Sequence, residues 1–393
     1  MPARSSSNNC RIAVVGVHGY GASHVERVAR LAGSGRVTLV AVADPRPATG
    51  NPALEGIPAY DDLAQLLAAE QVDVVIVSTP IHTHADLAEL ALRAGADVLL
   101  EKPPVPTLSD FRRLEHIVAE TGQILQVGFQ SMGSFALRAL VEFIDTDRLG
   151  EIQAVCGVGA WVRTRAYWQR TPWAGHRELD GRPVLDGAIT NPFAHAVVTA
   201  LRLAGARRVE DVLSVETELF RANPIESDDT SVVRIRTTDG PPVVLALTLC
   251  AAEAKQPWLE VRGSAGSARL WYVDDILEIT IDGVTERTSF EREDLLENLI
   301  EHRADPSVPL LSGLSATGAF CCVVEAVRQA PSPEPIAAGH VRWVRDPDAP
   351  EHDRPIVTDV EQWLEKAVDS VALFSEIHAP WTVDQPAFDG QGI

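Results

Sequence analysis

Basic residues are scarce in this chain of 393 residues. It has 34 lysines and arginines against 55 aspartates and glutamates, which gives a formal net charge of −21 at pH 7. Such a surplus of negative charge repels the phosphate backbone of nucleic acids and the anionic surface of a membrane. We therefore expect neither nucleic acid nor a lipid surface among the partners of this protein.

Long apolar runs and paired cysteines are also missing. The sequence has no stretch of about 18 apolar residues that could span a bilayer, and no apolar segment typical of a secretory signal before the first predicted strand. Its five cysteines are an odd number without a C-x-x-C pair, so neither a disulfide framework nor a zinc site is expected. These absences favour a soluble, cytoplasmic protein without a structural metal.

The first third of the sequence alternates short β-branched runs with runs rich in alanine and leucine. Strands are expected at residues 11–15, 38–43, 72–78, 97–100 and 124–128, and helices at 23–31, 61–69, 84–94 and 109–120. This alternation predicts a parallel sheet with crossover helices. Residues 1–129 are accordingly assigned to an α/β domain.

Beyond residue 129 the strand-like runs are longer and few helices separate them. They lie at residues 151–162, 230–237, 242–248, 258–263 and 268–273. This pattern predicts an α+β domain over residues 130–393, with a mostly antiparallel sheet and helices on one face. Residues 330–355 are expected to form an irregular connection before a last helix at about 359–374. An apolar open face needs cover, which predicts a homodimer or homotetramer.

A glycine-rich turn follows the first strand and reads Gly16-Val17-His18-Gly19-Tyr20-Gly21. It has the outline G-x-G-x-x-G of a turn that holds a dinucleotide at a helix N-terminus, with His18 in place of the second glycine. A side chain there either displaces the pyrophosphate slightly or offers it an imidazole donor, while Gly19 restores part of the clearance. Glycine-rich turns also end strands for purely conformational reasons, so this motif alone is weak.

The second strand ends at Asp44, 23 residues beyond Gly21. That spacing suits the carboxylate that accepts the ribose hydroxyls of NAD. A carboxylate repels the additional phosphate of NADP, whereas Arg46 could accept that phosphate. NAD is therefore the expected cofactor, with NADP as the alternative. Asp44-Pro45 is also an ordinary way to open a turn.

Two later loops also follow strands and are therefore expected to lie along the cofactor. The first reads Ser78-Thr79-Pro80 and leads to His84, which opens a helix. We favour a cofactor-facing or capping role for His84 over a metal-ligand role, because the change from loop to helix would splay the neighbouring polar side chains apart.

The second of these loops reads Glu101-Lys102-Pro103. Pro103 biases Lys102 toward extended geometry and so keeps it on the axis of the strand. A lysine delivered to the carboxyl edge of such a sheet is aimed at the cofactor. Lys102 is therefore the first catalytic candidate, and the alternative is a solvated lysine paired with Glu101.

Together these segments resemble the family of glucose-fructose oxidoreductase and myo-inositol dehydrogenase, often called Gfo/Idh/MocA. The likeness is carried by residues 15–24, 40–44, 73–84 and 94–103, in the order and spacing of the family. It implies a dinucleotide-binding Rossmann domain over residues 1–129 and an open-faced α+β sheet domain for substrate binding and oligomerisation over residues 130–393. It also implies a bound nicotinamide cofactor and oxidation or reduction of a sugar, polyol or related carbinol.

The family also has a segment of the form G-G-x-x-x-D-x-G-x-H, whose aspartate and histidine act with the lysine in proton transfer. Read from Gly181, the matching run here places Asp186 on the aspartate and Thr190 on the histidine. A threonine hydroxyl cannot act as a general base near neutral pH; it can only orient a group or relay a proton.

Read from its other end, the match to this segment improves. Residues 195–205 have the shape of a three-turn helix opened by histidine and closed by glycine, and a short insertion makes His195 the family histidine with Asn191 in place of the aspartate. Asn191-Pro192 is typical of an N-cap and first helical residue, and the helix dipole would then keep His195 neutral. We prefer His195 to Thr190 as the acid/base partner; the alternative is a histidine packed between helix and sheet.

Aromatic and basic residues are concentrated between residues 161 and 177, where no acidic residue occurs. Arg163, Tyr167, Trp168 and Trp173 are candidates for a substrate wall that stacks on a sugar ring and holds an anionic substituent. The alternative is a loop that packs against the neighbouring domain or a second subunit.

The sequence thus predicts an NAD(P)-dependent dehydrogenase or reductase. In the direction of oxidation, Lys102 would remove the hydroxyl proton with help from His195 and from Asp186 or Asn191, while hydride passes to the nicotinamide. Two alternatives stay open: transient oxidation by a tightly held NAD that results in glycoside cleavage or elimination, and a non-catalytic dinucleotide-binding regulator. The presence of Lys102 argues against the regulator.

Overall fold

The computed structural model describes residues 9–47 and 50–382 and the backbone of residues 388–389. The chain divides into two compact units. The first comprises Met1–Val105, Ser109–Phe129 and Asp294–Leu314, and the second comprises Pro106–Leu108, Gln130–Glu293 and Ser315–Ile393.

The helices of the described residues are distributed along the whole chain. They are α1 Tyr20–Ala32, α2 Leu63–Ala69, α3 His84–Arg93, α4 Leu108–Thr121, α5 Phe135–Asp145, α6 Arg165–Trp168, α7 Ala194–Leu203, α8 Leu295–Ala304, α9 Gly318–Gln329 and α10 Val360–Ser370. Within the described ranges, every helix is too short or too polar to serve as a membrane span.

A six-stranded parallel sheet forms the centre of the first unit. Its strands are β1 Cys10–Val15, β2 Val37–Ala43, β3 Ala59–Tyr60, β4 Val74–Val77, β5 Asp97–Leu100 and β6 Leu125–Val127. They are arranged in the order β3-β2-β1-β4-β5-β6. Every residue of β4 and β5 is buried, as expected for strands that are covered on both faces by crossover helices. The predicted Rossmann fold is confirmed.

One helix of the first unit comes from far along the chain. Leu295, Leu296 and Leu299 of α8 lie in the same apolar cluster as residues of β1, β2 and β4. Arg303, at the end of this helix, donates to Asp73 at 2.7 Å and to the buried Asp97 at 2.5 Å. The sequence prediction assigns residues 130–393 to one second domain and so places α8 in the wrong unit. The sequence of a helix carries no local signal of the sheet on which it packs.

A ten-stranded sheet forms the centre of the second unit. The strands of this unit are β7 Ile152–Ala160, β8 Glu178–Leu179, β9 Arg182–Pro183, β10 Val212–Arg221, β11 Thr230–Thr237, β12 Val243–Thr248, β13 Trp258–Gly263, β14 Gly266–Trp271, β15 Ile276–Ile281, β16 Val284–Ser289, β17 Glu334–Pro335, β18 Val341–Val344, β19 Arg354–Val357 and β20 Phe388–Asp389. The sheet order is β16-β15-β14-β13-β7-β12-β11-β10-β17, with β20 beside β10. Neighbours are antiparallel except β7 with β12 and β10 with β17, which confirms the predicted, mostly antiparallel sheet.

The two faces of this sheet carry different helices. Alternate residues of β7 point to opposite faces. On one face Gly159 lies against Phe193 at the start of α7, so closely that a Cβ would be 2.4 Å from the ring. On the other face Cys156 donates from Sγ to the carbonyl oxygen of Val368 in α10 at 3.4 Å.

The C-terminal part of the chain therefore covers the face that the sequence prediction left open. Leu364 and Val368 of α10, and Phe374 and Trp381 beyond it, are buried in one cluster with residues of β7 and β12. Within residues 330–355, predicted to be irregular, β18 pairs with β19 as an antiparallel hairpin. The central strands therefore do not present the exposed apolar face from which a homodimer or homotetramer was predicted. The oligomer stays a prediction.

The buried side chain of Leu364 tests this cover. Leu364→Ala should lower the free energy of unfolding by about 2–5 kcal/mol, the cost of truncating a buried leucine and leaving a cavity. Trp363 and Trp381 belong to the same cluster, so denaturant unfolding followed by tryptophan fluorescence reports on it. The exposed neighbour Glu365 provides the control, since Glu365→Ala should change the free energy of unfolding by no more than about 0.5 kcal/mol. Equal unfolding midpoints for Leu364→Ala and the unaltered protein would contradict the packing of α10.

Candidate active site

The turn after β1 is tight enough to require glycine at two positions. A Cβ on Gly16, which has φ of +81°, would lie 2.2 Å from the carbonyl oxygen of Ser78. A Cβ on Gly21 would lie 1.9 Å from the carbonyl oxygen of Gly16. This close approach brings the N-terminus of α1, which favours an anion, to the carboxyl edge of the sheet.

The backbone at the N-terminus of α1 is open. Gly19 is the N-cap residue with φ of +57°, and no atom lies within 4 Å of the position its Cβ would take. His18 replaces the second glycine of the motif. Its Nε2 lies 4.0 Å from Oδ1 of Asp44. Tyr20 is half exposed and packs edge-on against His24.

Asp44 is held in place at the end of β2. The backbone N–H of Val17 donates to Oδ2 at 3.1 Å and that of Arg46 donates to Oδ1 at 2.9 Å, and the Asp44 side chain is only 4% exposed. The Arg46 side chain is mostly exposed, with its Nε 3.4 Å from the same carboxylate. A fixed carboxylate beside an open helix N-terminus fits the ribose and pyrophosphate of a dinucleotide.

Glu101 is buried at the end of β5 and orients the residue that follows it. Nε2 of His24 donates to its Oε1 at 2.8 Å, and the backbone N–H of Lys102 donates to Oε2 at 3.1 Å. A Cβ on Gly128 would lie 2.8 Å from Oε1, so glycine is needed there. The peptide bond between Lys102 and Pro103 is cis. Burial of Glu101 argues against an ordinary solvated Glu-Lys pair.

His84 ties together the loops that follow β4 and β5. Its Nδ1 lies 2.9 Å from the carbonyl oxygen of Pro103 and 3.2 Å from that of Pro104, and its Nε2 lies 2.8 Å from that of Thr79. Burial lowers the pKa of His84, and the hydrogen bonds to the carbonyl oxygens offset part of this effect. With both nitrogens facing carbonyl oxygens, His84 positions the Lys102 loop and is not available to a metal.

In the second unit Asp186 is buried and surrounded by donors. Nη2 of Arg170 donates to Oδ1 at 3.1 Å and to Oδ2 at 2.9 Å, and the backbone N–H of Gly175 donates to Oδ2 at 2.9 Å. The side-chain amide of Asn191 donates to Oδ1. Asp186 thus holds three groups in place and is better suited to orienting its neighbours than to exchanging protons itself.

The predicted start of the next helix is wrong. The N-cap of α7 is Phe193, so the helix begins two residues beyond Pro192, and Asn191 does not cap it. The Asn191 amide is engaged by Asp186, and its backbone N–H donates to the carbonyl oxygen of Gly187 in a series of turns. His195 nevertheless lies in the first turn of α7 and is half-buried. The hydroxyl of Thr190 is buried and donates to the carbonyl oxygen of Leu185.

The residues predicted as a substrate wall stack largely on one another. The guanidinium of Arg170 lies 3.7 Å from the ring centroid of Tyr167 and 4.8 Å from that of Trp173. The guanidinium of Arg163 lies 4.8 Å from the Tyr167 centroid. Of the four wall candidates, Trp168 lines a cavity of about 620 Å³.

The sequence analysis missed Asp228, a buried residue that binds the backbone of the loop that follows Asp186. Its Oδ2 accepts the backbone N–H of Ile189 at 3.3 Å and the hydroxyl of Ser231 at 2.7 Å. A Cβ on Gly187 would lie 1.9 Å from Oδ1. Burial raises the pKa of Asp228. The signal that could have revealed it is the pair of aspartates directly before the apolar strand β11.

Comparison with protein families gives two matches. The first is to the Gfo/Idh/MocA oxidoreductase family, NAD-binding Rossmann fold, over residues 10–129. The second is to the Gfo/Idh/MocA C-terminal domain over residues 137–269. Comparison with curated proteins gives no significant match.

Solved structures share the fold. The WlbA dehydrogenase from Bordetella pertussis, in complex with NADH and UDP-GlcNAcA, is 22% identical with a TM-score of 0.67, and the match covers 81% of this chain and 94% of that one. The UDP-N-acetylglucosamine 3-dehydrogenase GnnA from Acidithiobacillus ferrooxidans is 18% identical with a TM-score of 0.64, covering 81% and 97%. An oxidoreductase from Agrobacterium radiobacter, in complex with NAD⁺, L-tartaric acid and magnesium, is 17% identical with a TM-score of 0.64, covering 81% and 94%.

The fixed carboxylate of Asp44 predicts a preference for NADH over NADPH. Asp44→Asn should reduce this preference by about tenfold, because it removes the charge that repels the additional phosphate and weakens the bond to the ribose. Arg46→Ala is the matched control and should leave NADH affinity within about twofold. Titrations followed by nicotinamide fluorescence measure both. A protein that binds NADPH more tightly, and loses that preference in Arg46→Ala, would contradict the role of Asp44.

The lowered pKa of His84 predicts a pH-dependent stability. Because the folded state protonates this ring less readily than the unfolded chain, the contribution of His84 to stability is constant above the ordinary histidine pKa of 6.5 and is lost as the pH falls below it. From about pH 7.5 to about pH 5.5 the unaltered protein should lose more stability than His84→Gln, by up to about 1.4 kcal/mol per pH unit. Chemical unfolding at each pH measures this, with the exposed His116→Gln as control. If the free energy of unfolding depended on pH in the same way for His84→Gln and for the unaltered protein, the predicted contribution of His84 would be contradicted.

Proposed function

Because the chain belongs to the Gfo/Idh/MocA family of oxidoreductases and contains its NAD-binding Rossmann domain, we propose that it interconverts a secondary alcohol and a ketone on a sugar-like substrate. The observation that carries this proposal is the placement of Lys102. Glu101 holds its backbone N–H at the carboxyl end of β5, and His84 holds the carbonyl group of the next residue, Pro103.

The chemistry follows from what these side chains can do. NAD bound at the turn after β1 would supply the hydride acceptor, or as NADH the donor. Lys102 takes the proton of the substrate hydroxyl during oxidation and returns it to the carbonyl oxygen during reduction. In the second unit His195 is the proposed acid/base partner, as the family resemblance implies. Asp186 and Asn191 keep the loop before α7 in one conformation through their mutual hydrogen bond.

The sugar-like substrate class is supported by two observations. Two of the structurally similar proteins are named for, or were solved with, a UDP-linked amino sugar or its acid. In this chain, tryptophan and arginine side chains are concentrated in the segment directly before the Asp186 loop, and indole rings and guanidinium groups suit sugar rings and their anionic substituents. The proposed enzyme acts as a homo-oligomer, an expectation that light scattering would test.

Replacement of Lys102 tests the mechanism. Lys102→Ala should lower turnover by about two to four orders of magnitude, because it removes the general base, while NADH affinity stays within about twofold. The chain has only three lysines, and the exposed Lys255 provides the control in Lys255→Ala. Absorbance of NADH during turnover of sugars, polyols, uronates and sugar nucleotides measures the rate. Unchanged turnover in Lys102→Ala would remove this residue from the mechanism.

The same assay separates net oxidation from transient oxidation. Accumulation of NADH in proportion to product supports the proposed dehydrogenase. Product formed without net NADH, by cleavage or elimination, would instead support the alternative in which a tightly held NAD is reduced and reoxidised within each turnover. Failure to bind either NADH or NADPH would overturn both.

A further inference from the structure

The second unit contains a cavity that the proposed reaction leaves without a role. Its volume of about 620 Å³ is within the range of small-molecule sites. Its wall includes two indoles, two guanidiniums, an imidazole and a carboxamide, which belong to Trp168, Trp343, Arg165, Arg221, His176 and Asn223. Such a set combines flat apolar faces with polar groups at their edges, which is the chemistry that recognises a sugar ring.

The two indoles come from distant parts of the chain. Trp168 ends α6, whereas Trp343 lies in β18, opposite Pro355 in β19. Nε1 of Trp168 is shielded from solvent and has no hydrogen-bond acceptor among the residues that the structure describes. Because Nε1 has almost no exposed surface, Trp168 contributes the apolar part of its indole to the wall of the cavity.

Arg221 gives the cavity a positive charge. Its Nε donates to the carbonyl oxygen of Pro333 at 3.1 Å, a neutral acceptor that fixes the guanidinium without cancelling its charge. Two other ionisable groups on the wall, Arg165 and Glu226, have partners nearby. Arg165 forms an ion pair with Asp353 at 3.1 Å, and Glu226 lies 3.2 Å from Nδ1 of His176. An anionic group on the ligand therefore has its best partner in Arg221.

The cavity shares a wall with the Asp186 loop. Gly175 lines the cavity, and its backbone N–H donates to Oδ2 of Asp186 at 2.9 Å. A Cβ on Gly175, which has φ of +72°, would lie 2.8 Å from the side chain of Ile225 on the same wall. A ligand in the cavity is thus separated from the Asp186 carboxylate by one backbone amide.

The C-terminal part of the chain forms one side of the cavity, with Ser332 and Trp343. The backbone N–H of Arg165 donates to the carbonyl oxygen of Asp353 at 2.8 Å, which joins α6 to the segment that carries β18 and β19. Trp343 lies beyond the last residue matched by the C-terminal family domain, residue 269. The hairpin therefore adds an aromatic wall that this family match does not include.

We propose that this cavity binds a pyranose carrying one anionic group, with the indoles of Trp168 and Trp343 against the ring and Arg221 on the anion, and that Trp343 makes the C-terminal hairpin a determinant of substrate specificity. The role in specificity rests on the proposed oxidoreductase function, because it assigns the bound sugar to the substrate of that reaction. Binding of the sugar does not require turnover and is measured separately.

The binding test uses the full chain and ligand-observed NMR, which does not depend on the fluorescence of the altered tryptophans. Glucuronate and glucose 6-phosphate distinguish a carboxylate from a phosphate as the anionic group, and neutral glucose and UMP are the comparison ligands. We expect saturable binding of at least one of the two anionic sugars, about tenfold or more tighter than glucose, as a charge-assisted bond to Arg221 requires. Tighter binding of UMP than of either sugar would overturn the proposal in favour of a nucleotide site.

Variants of the wall decide whether binding occurs in this cavity. Trp343→Ala and Arg221→Met should each weaken binding of the anionic sugar by about tenfold or more. Trp343→Phe should keep most of the affinity that Trp343→Ala loses, because phenylalanine retains an aromatic face. Arg342→Met is the matched control, since Arg342 is exposed on the same hairpin and is not part of the wall. Thermal unfolding of each variant verifies that it folds. Unchanged affinity in both Trp343→Ala and Arg221→Met would overturn the proposal.

Turnover then separates failure of this inference from failure of the proposed function. If the inference holds, Trp343→Ala raises KM for the anionic substrate by about tenfold with kcat retained within about threefold, as for a group that contributes uniform binding. Turnover that depends on Lys102 but is indifferent to Trp343 and Arg221 would leave the oxidoreductase intact and overturn the role of the cavity. Absence of NADH binding, with sugar binding that still depends on Arg221, would overturn the oxidoreductase and keep the cavity as a sugar site.

Discussion

The candidate active site depends on polar groups that are buried where the strands of the first sheet end. His84 contacts carbonyl groups on both loops that follow β4 and β5, and Glu101 receives donors from His24 and from the backbone of Lys102. A buried polar group that loses its partner costs about 1–3 kcal/mol, so each of these contacts strongly favours one arrangement of the loops. Catalytic geometry must be held to within fractions of an ångström, and a lysine on a flexible side chain gains that precision only if its backbone is fixed.

In the second unit, an ion pair and aromatic rings fix the loop that carries Asp186. Asp186 binds Arg170, and the guanidinium of Arg170 in turn packs on Tyr167 and Trp173. The segment that the sequence suggested as a substrate wall is therefore first a structural support for the Asp186 loop. Of the four residues predicted to form that wall, Trp168 lines the cavity. Arginine suits both tasks, because its planar group can stack on a ring and still donate hydrogen bonds in its own plane.

Local patterns predicted those features whose causes are local. The strands of the first sheet follow from short β-branched runs, and the need for Gly16 and Gly21 follows from a turn in which backbone passes against backbone. The start of α7 was mispredicted because Asn191, a good capping residue by type, is engaged by Asp186 instead. The packing of α8 on the first sheet and of α10 on the second depends on partners hundreds of residues away in the sequence, and nothing within either helix names those partners.

The cover of the second sheet has a consequence that concerns concentration. Because α10 is joined to the sheet by the same chain, its effective concentration at that face is set by the length of the connection and does not change when the protein is diluted. A face covered by another subunit becomes exposed at low protein concentration, whereas this face does not. Any molecule that uses the central strands as a docking surface must first displace a competitor that is always present, and its apparent affinity is reduced by the stability of that internal contact.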